Sequence, residues 1–157
     1  MNRWLIVHDL QAFRQHSDMI GNSVRRLGEN KPRFARFEAI RKGDLAVYYA
    51  KGDMVVLGIF EIVSEIAYMP NDPYWGEVVF YKIKPVILPP AGKVLDFKKL
   101  VTSPDVHFEA IPSSERWGSY LQGRACILLT KGDYEIIESA VSRVEFLKKS
   151  PGHNYDK

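Results

Sequence analysis

The sequence predicts one α+β domain in which five or six short strands curl into a small β-barrel flanked by two or three helices. Strand-length runs of β-branched and aromatic residues recur along the chain, whereas few segments repeat apolar residues at helical spacing. The 157 residues, 46% of them apolar, are enough for one core. A barrel is expected because short antiparallel strands protect their edges by closing on themselves.

The first half of the chain begins with a strand and a helix. Residues 3–7 (RWLIV) predict the opening strand, and residues 9–20 predict a short helix. Apolar residues three apart in 33–40 predict a helical turn that packs on the core. Residues 45–64 contain two β-rich runs joined by KGDM, whose glycine and aspartate suit a tight turn, so we expect a hairpin there.

The second half alternates loops with strands. The polar segment 68–76 (YMPNDPYWG) predicts a loop, and 77–88 predicts a strand in which Pro85 marks an edge or an end. Residues 125–130 (ACILLT) predict the last strand, and 131–147 a terminal helix with one apolar face.

One domain spanning residues 1–149 is expected, followed by a flexible tail at 150–157 that contains proline, glycine and polar residues. Ser114 and Glu115 resemble a capping box at the start of a short helix. Cys126, the single cysteine, lies in an apolar run and is expected to be a buried, inert thiol. No apolar run is long enough for a membrane span, so we expect a soluble, cytoplasmic protein.

Positive charge is concentrated in one segment. The net charge is only +3, but between residues 25 and 42 seven basic residues face two acidic ones, Glu29 and Glu38. The basic residues are Arg25, Arg26, Lys31, Arg33, Arg36, Arg41 and Lys42. Such a run is either a solvated face or a surface for nucleic-acid phosphates.

Signatures of catalysis and metal binding are missing from the sequence. The four histidines have no zinc-ligand spacing, and no nucleophile elbow, Walker loop or dinucleotide fingerprint is present. The scattered carboxylates are best explained as solvated surface residues. We therefore expect no metal, no cofactor and no catalytic residue.

Several motifs occur in an order that resembles a known family. They are the segment IGNSV at 20–24, the KGDLAVYYA and GIFEIVSE strand pair, PYWGEVVFYKIKP, RWGSYLQG and the DYEIIE helix. The pattern covers residues 3–145 and is similar to EVE domains of the PUA-like superfamily, which also includes the YTH readers of methylated adenine. The resemblance implies a PUA-like barrel whose pocket holds one extruded, methylated or hydroxymethylated base of DNA or RNA.

The family pattern implies which residues form the pocket. Its turn after the first helix matches Gly21, Asn22 and Ser23, and its loop aromatic matches Trp75. An aromatic ring can stack on any base, whereas amide and hydroxyl groups can read the base edge. The chain departs from the family at Asn22, where many relatives carry tryptophan or glycine. A two-tryptophan cage is therefore not implied, and the preferred modification stays open.

Further candidates surround this set. Trp4 is expected either in the core or in the pocket lining. Tyr48 and Tyr49 alternate across a strand, so only one of them faces the barrel interior, and Tyr49 is the candidate base contact. The other base-contacting candidates, all in the RWGSYLQG motif, are Trp117, Ser119 and Tyr120. The candidate phosphate contacts are Arg25, Arg26, Lys31, Arg33, Arg36 and Arg116.

Three functions remain open, the third of which is a module that binds a small molecule or a partner protein. The first is a module that binds nucleic acid through a base in the pocket. The second is a small hydrolase or nuclease acting on RNA or nucleosides, using Lys42, Asp44 or a tyrosine and glutamate pair brought together by the fold.

Overall fold

Nine strands and six α-helices are present in the computed structural model, which describes residues 1–29, 31–112 and 116–151. The strands are β1 (Arg3–His8), β2 (Met19–Ser23), β3 (Leu45–Ala50), β4 (Val55–Ile62), β5 (Ala67–Asp72), β6 (Gly76–Ile87), β7 (Lys93–Asp96), β8 (Cys126–Leu128) and β9 (Leu147–Lys149). The helices are α1 (Leu10–Gln15), α2 (Val24–Glu29), α3 (Lys31–Glu38), α4 (Phe97–Val101), α5 (Trp117–Leu121) and α6 (Lys131–Ala140).

The strands form one mixed sheet with the central order β2-β6-β4-β3-β1-β8. Strands β1 and β3 pair in parallel, and the other pairs are antiparallel. The long strand β6 changes partner along its length: residues 78–82 pair with β2, and residues 83–87 pair with β4. Because one strand belongs to two parts of the sheet, the sheet curls and brings β2 and the β5–β6 turn towards the end of β1.

Both faces of the sheet are buried. Val47 and Tyr49 of β3 belong to a core that also includes residues of α4, α5 and α6, whereas Ala46 and Tyr48 belong to a second core with Phe37 of α3. The two tyrosines point to opposite faces as expected, yet both are at most 2% exposed. Helices therefore cover both sides of the sheet, which is why its central strands β1, β3 and β4 are almost continuously buried.

The α+β class and several predicted elements are confirmed. Strand β1, the β3–β4 hairpin, helix α3, strand β6 and strand β8 lie where the sequence pattern placed them. Phe37 and Ile40 are buried under the sheet. Cys126 is also buried, and burial raises the pKa of its thiol to about 12, so this thiol is protonated at neutral pH.

The number and length of the elements needed correction. The described residues contain nine strands and six α-helices, not five or six and two or three. Residues 20–23, predicted as a turn, pair with β6 as part of β2, and most of the predicted 68–76 loop is β5. The terminal helix ends at Ala140 and is followed by a 3-10 turn and β9. Glycine, proline and asparagine suggested turns, but tertiary pairing with β6 determines the conformation.

Other expectations concern segments outside the described residues. Ser114 and Glu115, the proposed capping box, lie there, as do residues 152–157 of the predicted tail. In the described part of the chain, no helix combines the length and apolarity needed to cross a bilayer. The single-domain boundary at 149 stays a prediction.

Candidate nucleic-acid interface

A cavity of about 630 Å³ opens where the end of β1, strand β2, helices α2 and α3 and the β5–β6 turn meet. This volume lies within the range of small-molecule sites. The cavity is lined by Val7, His8, Asp9, Ala12, Gly21, Asn22, Ser23, Arg25, Arg26, Glu29, Arg33, Lys51, Tyr74 and Trp75. It therefore combines an aromatic wall, an amide side chain and four basic side chains.

His8 links β1 to β2 at this cavity. Its Nδ1 lies 2.8 Å from the carbonyl oxygen of Val7, and its Nε2 accepts the backbone N–H of Gly21 at 3.2 Å. A carbonyl can only accept, so Nδ1 carries the proton and Nε2 is free of one. Burial, outweighing the Val7 hydrogen bond, lowers the pKa of His8 from 6.5 to about 4. His8 is thus a neutral, fixed part of the site.

This histidine makes stability depend on pH. Its pKa is lower in the folded state, so the unfolded chain binds more protons between pH 6.5 and about 4, and acidification across this window destabilises the fold. We expect His8 to reduce the free energy of unfolding by about 3 kcal/mol across this window. Chemical denaturation at several pH values should show a flatter profile for His8→Gln, while the exposed-site control His107→Gln should match the parent. Equal slopes for His8→Gln and the parent would contradict the assignment.

Asn22 lines the cavity and carries a buried hydrogen-bond donor. Its Oδ1 accepts from Nη2 of Arg33 at 3.1 Å, and because a guanidinium only donates, the amide oxygen must face Arg33. The amide nitrogen Nδ2 is buried and has no hydrogen-bond partner among the described residues, and the whole residue is only 4% exposed. A buried, unpaired donor is costly, so a ligand acceptor would be favoured beside it.

Trp75 forms the aromatic wall. The carboxylate of Asp72 accepts the backbone N–H of Tyr74 at 2.8 Å and of Trp75 at 2.9 Å, which fixes the β5–β6 turn. The other carboxylate oxygen lies 2.5 Å from Nε2 of His16, whose ring stacks on Trp75 with 5.6 Å between centroids and 12° between planes. Burial of Asp72 opposes ionisation, but these N–H donors and His16 bring its pKa below the usual value. The indole is therefore held at one orientation.

Gly21 makes room for Trp75. A Cβ atom at this position would lie 3.1 Å from Cζ3 of Trp75 and 2.9 Å from Cγ2 of Val78, closer than such contacts normally allow. The glycine therefore lets the indole approach the backbone of β2.

Gly21→Ala is expected to displace Trp75 and to destabilise the fold by about 1–3 kcal/mol, the usual range for overpacking. Thermal unfolding measures the loss, and ligand affinity should fall with it. Gly28→Ala is the matched control, since a Cβ there meets nothing within 4 Å. Unchanged Tm and binding for Gly21→Ala would refute the close approach.

Asp9 and Tyr74 close another side of the cavity. The Tyr74 hydroxyl donates to Asp9 at 2.7 Å, and Asp9 also caps α1 by accepting the N–H of Ala12 at 2.7 Å. Burial, with the Asp9 hydrogen bond, raises the pKa of Tyr74 to about 12. Burial opposes ionisation of Asp9, but its hydrogen bonds to Tyr74 and Ala12 keep its pKa below the usual value. The Asp9 carboxylate is thus ionised and already engaged.

A second groove of about 360 Å³ adjoins the cavity, and Arg33 lines both. Its Nη1 donates to the carbonyl oxygen of Gly123 at 2.5 Å. The guanidinium of Arg124 lies 4.1 Å from the centroid of the Tyr120 ring, and its Nε donates to the Tyr120 carbonyl at 2.7 Å. The groove is lined by Pro32, Arg33, Arg36, Ser119, Tyr120, Gln122, Gly123 and Arg124. It is a basic surface continuous with the cavity.

The structure brings together most of the predicted site residues. Those in the cavity are Gly21, Asn22, Ser23, Trp75, Arg25, Arg26 and Arg33. Those in the groove are Arg33, Arg36, Ser119 and Tyr120. Lys31 and Arg116 are exposed and line neither. The roles of these residues in binding stay predictions.

Three predicted aromatic residues lie outside the cavity. Trp4 is 3% exposed in the core, and its Nε1 donates to Asp44 at 2.9 Å. Tyr49 packs against Phe97 on the opposite face of the sheet from Tyr48, and Trp117 packs against the same phenylalanine. Burial on both faces of the sheet uses these rings for packing, and their roles as base contacts stay predictions.

Sequence reasoning missed part of the cavity. The missed lining residues include His8, Asp9, Lys51 and Tyr74. A polar His-Asp pair directly after the apolar strand 3–7 was an available signal, since polar residues at a strand end often face a site. Lys51 lies in the turn after β3, where the KGDM segment suggested only a hairpin connection.

Solved structures share this curled sheet and its flanking helices. Rpa0253 from Rhodopseudomonas palustris superposes with a TM-score of 0.60 and 16% identity, covering 89% of this chain and 92% of its own. Human THYN1, in complex with 5-methylcytosine-containing DNA, gives a TM-score of 0.58 and 14% identity, covering 91% of this chain and 99% of its own. The YTH domain of Pho92, in complex with m6A, gives a TM-score of 0.58 and 13% identity, covering 94% of this chain and 88% of its own.

These likenesses establish the fold. The predicted PUA-like α+β fold is confirmed, since the chain shares its fold with YTH domains. No protein-family model matches the sequence, and neither does any curated protein.

Proposed function

We propose that this chain is a non-enzymatic, cytoplasmic module that binds DNA or RNA and takes one modified, methylated or hydroxymethylated base into the cavity. The observation that carries the proposal is the convergence on one basic cavity of Trp75 and Asn22, whose Nδ2 has no hydrogen-bond partner in the described part of the chain. The solved complexes of similar fold contain 5-methylcytosine DNA in one case and m6A in another, which supports a modified base as ligand and leaves both nucleic acids to be tested.

Base binding would divide between stacking and hydrogen bonding. The indole of Trp75 supplies a stacking surface that accepts any base. The Nδ2 of Asn22 supplies a donor for a base carbonyl or ring nitrogen, which admits some bases and rejects others. Val7 and Ala12 add an apolar contact for a methyl group, and Ser23 adds a hydroxyl for a more polar substituent.

The basic groove would hold the strand on either side of the extruded base. Arg33 lines both cavity and groove, so a strand leaving the cavity can continue past Arg36 and Arg124. Arg25, Lys31 and Arg116 add exposed positive charge to the elements around them. Such contacts position the strand without reading its sequence.

A direct test titrates the protein with labelled oligonucleotides that differ only in one base. DNA and RNA probes carry cytosine, 5-methylcytosine, 5-hydroxymethylcytosine, adenine or m6A at one position. The proposal expects at least one modified probe to bind about tenfold or more tightly than its unmodified counterpart. Equal affinity for modified and unmodified probes would count against it.

Asn22→Ala is expected to reduce that preference, because it removes the donor and leaves Arg33 with one partner fewer. The matched control is Asn71→Ala, an exposed asparagine on β5. A loss of preference in Asn22→Ala alone supports the assignment. Retention of the full preference in both variants would remove base recognition from Asn22.

Arg36→Gln should weaken binding by a similar factor for modified and unmodified probes. A phosphate contact carries no base information, so the plot of log affinity against log salt should lose about one unit of slope. Titrations at four salt concentrations measure this slope. Arg143→Gln, in the segment after α6, is the control. An unchanged slope in Arg36→Gln would show that the nucleic-acid strand does not run along the groove.

The hydrolase or nuclease alternative gains no support from Asp44 or Lys42, two of the residues named for it. The carboxylate of Asp44 is 4% exposed and accepts from the N–H of Asn2, from Nε1 of Trp4 and from the N–H of Arg41, each at 2.9 Å. A carboxylate held by three donors in the core stabilises the fold and is not accessible to a substrate. Lys42 is exposed at the same end of β3, away from the cavity.

A further inference from the structure

Three basic side chains from different elements converge on the cavity. Arg26 comes from α2, Arg33 from α3 and Lys51 from the turn after β3. The two lining carboxylates have other partners: Glu29 pairs with Arg25 at 3.4 Å, and Asp9 is engaged by Tyr74 and Ala12. Within the described ranges, no salt bridge joins Arg26 or Lys51 to a carboxylate. The cavity therefore holds an excess of positive charge.

These cations repel one another where solvent is partly excluded. Lys51 and Arg33 are half-buried, and burial lowers the pKa of each; the charge of Arg26 lowers both further. Arg33 also acts in the same direction on Lys51. Holding like charges together in a partly desolvated cavity is unfavourable, and a bound anion would remove that cost.

A neutral donor points to the same kind of ligand. Asn22 is more than nine-tenths buried, its Nδ2 has no partner in the described part of the chain, and its oxygen is turned towards Arg33. The cavity thus offers hydrogen-bond donors beside positive charge, while its ionised acceptors are already occupied. This combination is complementary to an oxyanion.

We propose that Arg26, Arg33 and Lys51 form an anion subsite within the cavity, so that the ligand is a nucleotide that brings negative charge into the cavity together with its base. This inference rests on the proposed function, because the base occupies the same cavity against Trp75. The chemistry is an oxyanion, supplied either by a carboxylate on the base or by the phosphate of the extruded nucleotide. About 630 Å³ leaves room for such a group beside a base.

The test uses the full chain and four single-stranded DNA probes. Two probes carry one 5-carboxylcytosine, and two carry one 5-methylcytosine. In each pair, one probe has ordinary phosphodiesters, and the other has neutral methylphosphonates on both sides of the modified nucleotide. The variants are Lys51→Gln, Arg26→Gln and Trp75→Ala. Lys98→Gln, an exposed lysine on α4, is the matched control. Arg26 is exposed, so its replacement preserves the fold even if Lys51→Gln lowers stability.

Each source of the oxyanion gives its own result. If the base supplies it, the parent binds 5-carboxylcytosine about tenfold tighter than 5-methylcytosine, the effect of one charged hydrogen bond, and Lys51→Gln and Arg26→Gln lose this preference. If the phosphate supplies it, methylphosphonates weaken the parent about tenfold on both bases and leave the two variants unaffected. Lys98→Gln behaves like the parent in both cases.

The inference and the proposed function can fail separately. The anion subsite is overturned if Lys51→Gln and Arg26→Gln bind all four probes as the parent does. If Trp75→Ala is then still impaired, base binding survives without the subsite. If Trp75→Ala binds normally while the two cation variants are impaired, the anion subsite stands and the role of the cavity in stacking a base fails.

Discussion

Trp75→Ala is expected to weaken binding of the preferred oligonucleotide about 5- to 150-fold, the equivalent of the 1–3 kcal/mol that stacking on one base contributes. The indole lines the cavity, and three groups hold it in place: the Asp72 carboxylate fixes its backbone, His16 stacks on it and Gly21 lets it approach β2. Fluorescence anisotropy with a labelled probe measures the loss.

Two control variants make the Trp75 result specific. Trp75→Phe keeps an aromatic ring and should retain most of the affinity. Tyr68→Ala removes an exposed aromatic residue from the neighbouring strand β5 and should bind like the parent. Thermal unfolding of each variant separates lost binding from lost folding. An unchanged affinity in folded Trp75→Ala would refute the stacking role.

Asp44→Ala is expected to destabilise the fold by about 3 kcal/mol, which corresponds to a Tm lower by about 10 °C for a chain of this size. The substitution leaves the N–H groups of Asn2 and Arg41 and the Nε1 of Trp4 without their acceptor. Trp4 is buried, so its indole N–H cannot recover a bond with water without disturbing the core.

The same variant distinguishes a structural Asp44 from a catalytic one. At a temperature where Asp44→Ala is fully folded, oligonucleotide affinity should equal that of the parent. Asp105→Ala, which removes an exposed carboxylate, should leave Tm unchanged. Loss of an RNA-cleaving activity in folded Asp44→Ala, with Tm unaffected, would restore the hydrolase hypothesis.

Local sequence pattern predicted the elements whose conformation depends on near neighbours. The KGDM turn between β3 and β4 lies within four residues. The three-residue apolar spacing in 33–40 places Phe37 in the last turn of α3 and Ile40 just after the helix, and both are buried. In both cases the signal and the contact that it produces are close in sequence. Local sequence patterns predict secondary structure best when the stabilising contact is close in sequence.

Pattern failed where long-range pairing determines the conformation. Residues 20–23 contain Gly21, Asn22 and Ser23 and suggested a turn, yet β6 supplies hydrogen-bond partners about 58 residues away and makes them a strand. Tyr49 and Trp4 were candidates for the pocket because large aromatic side chains can stack on a base, but cores on both faces of the sheet bury them. Neither core is visible from the local alternation of residues.

The sequence by itself determined the α+β class and the basic segment of residues 25–42, because composition and charge can be read without a structure. The candidates Asn22 and Trp75 were implied by the resemblance to EVE domains. Only the tertiary structure decided that these residues share a cavity, and that His8, Asp9 and Lys51 join them. The reason is physical: a protonation state or an unpaired donor depends on burial and on partners distant in sequence. The contact of His8 with Gly21 spans 13 residues, and that of Trp4 with Asp44 spans 40.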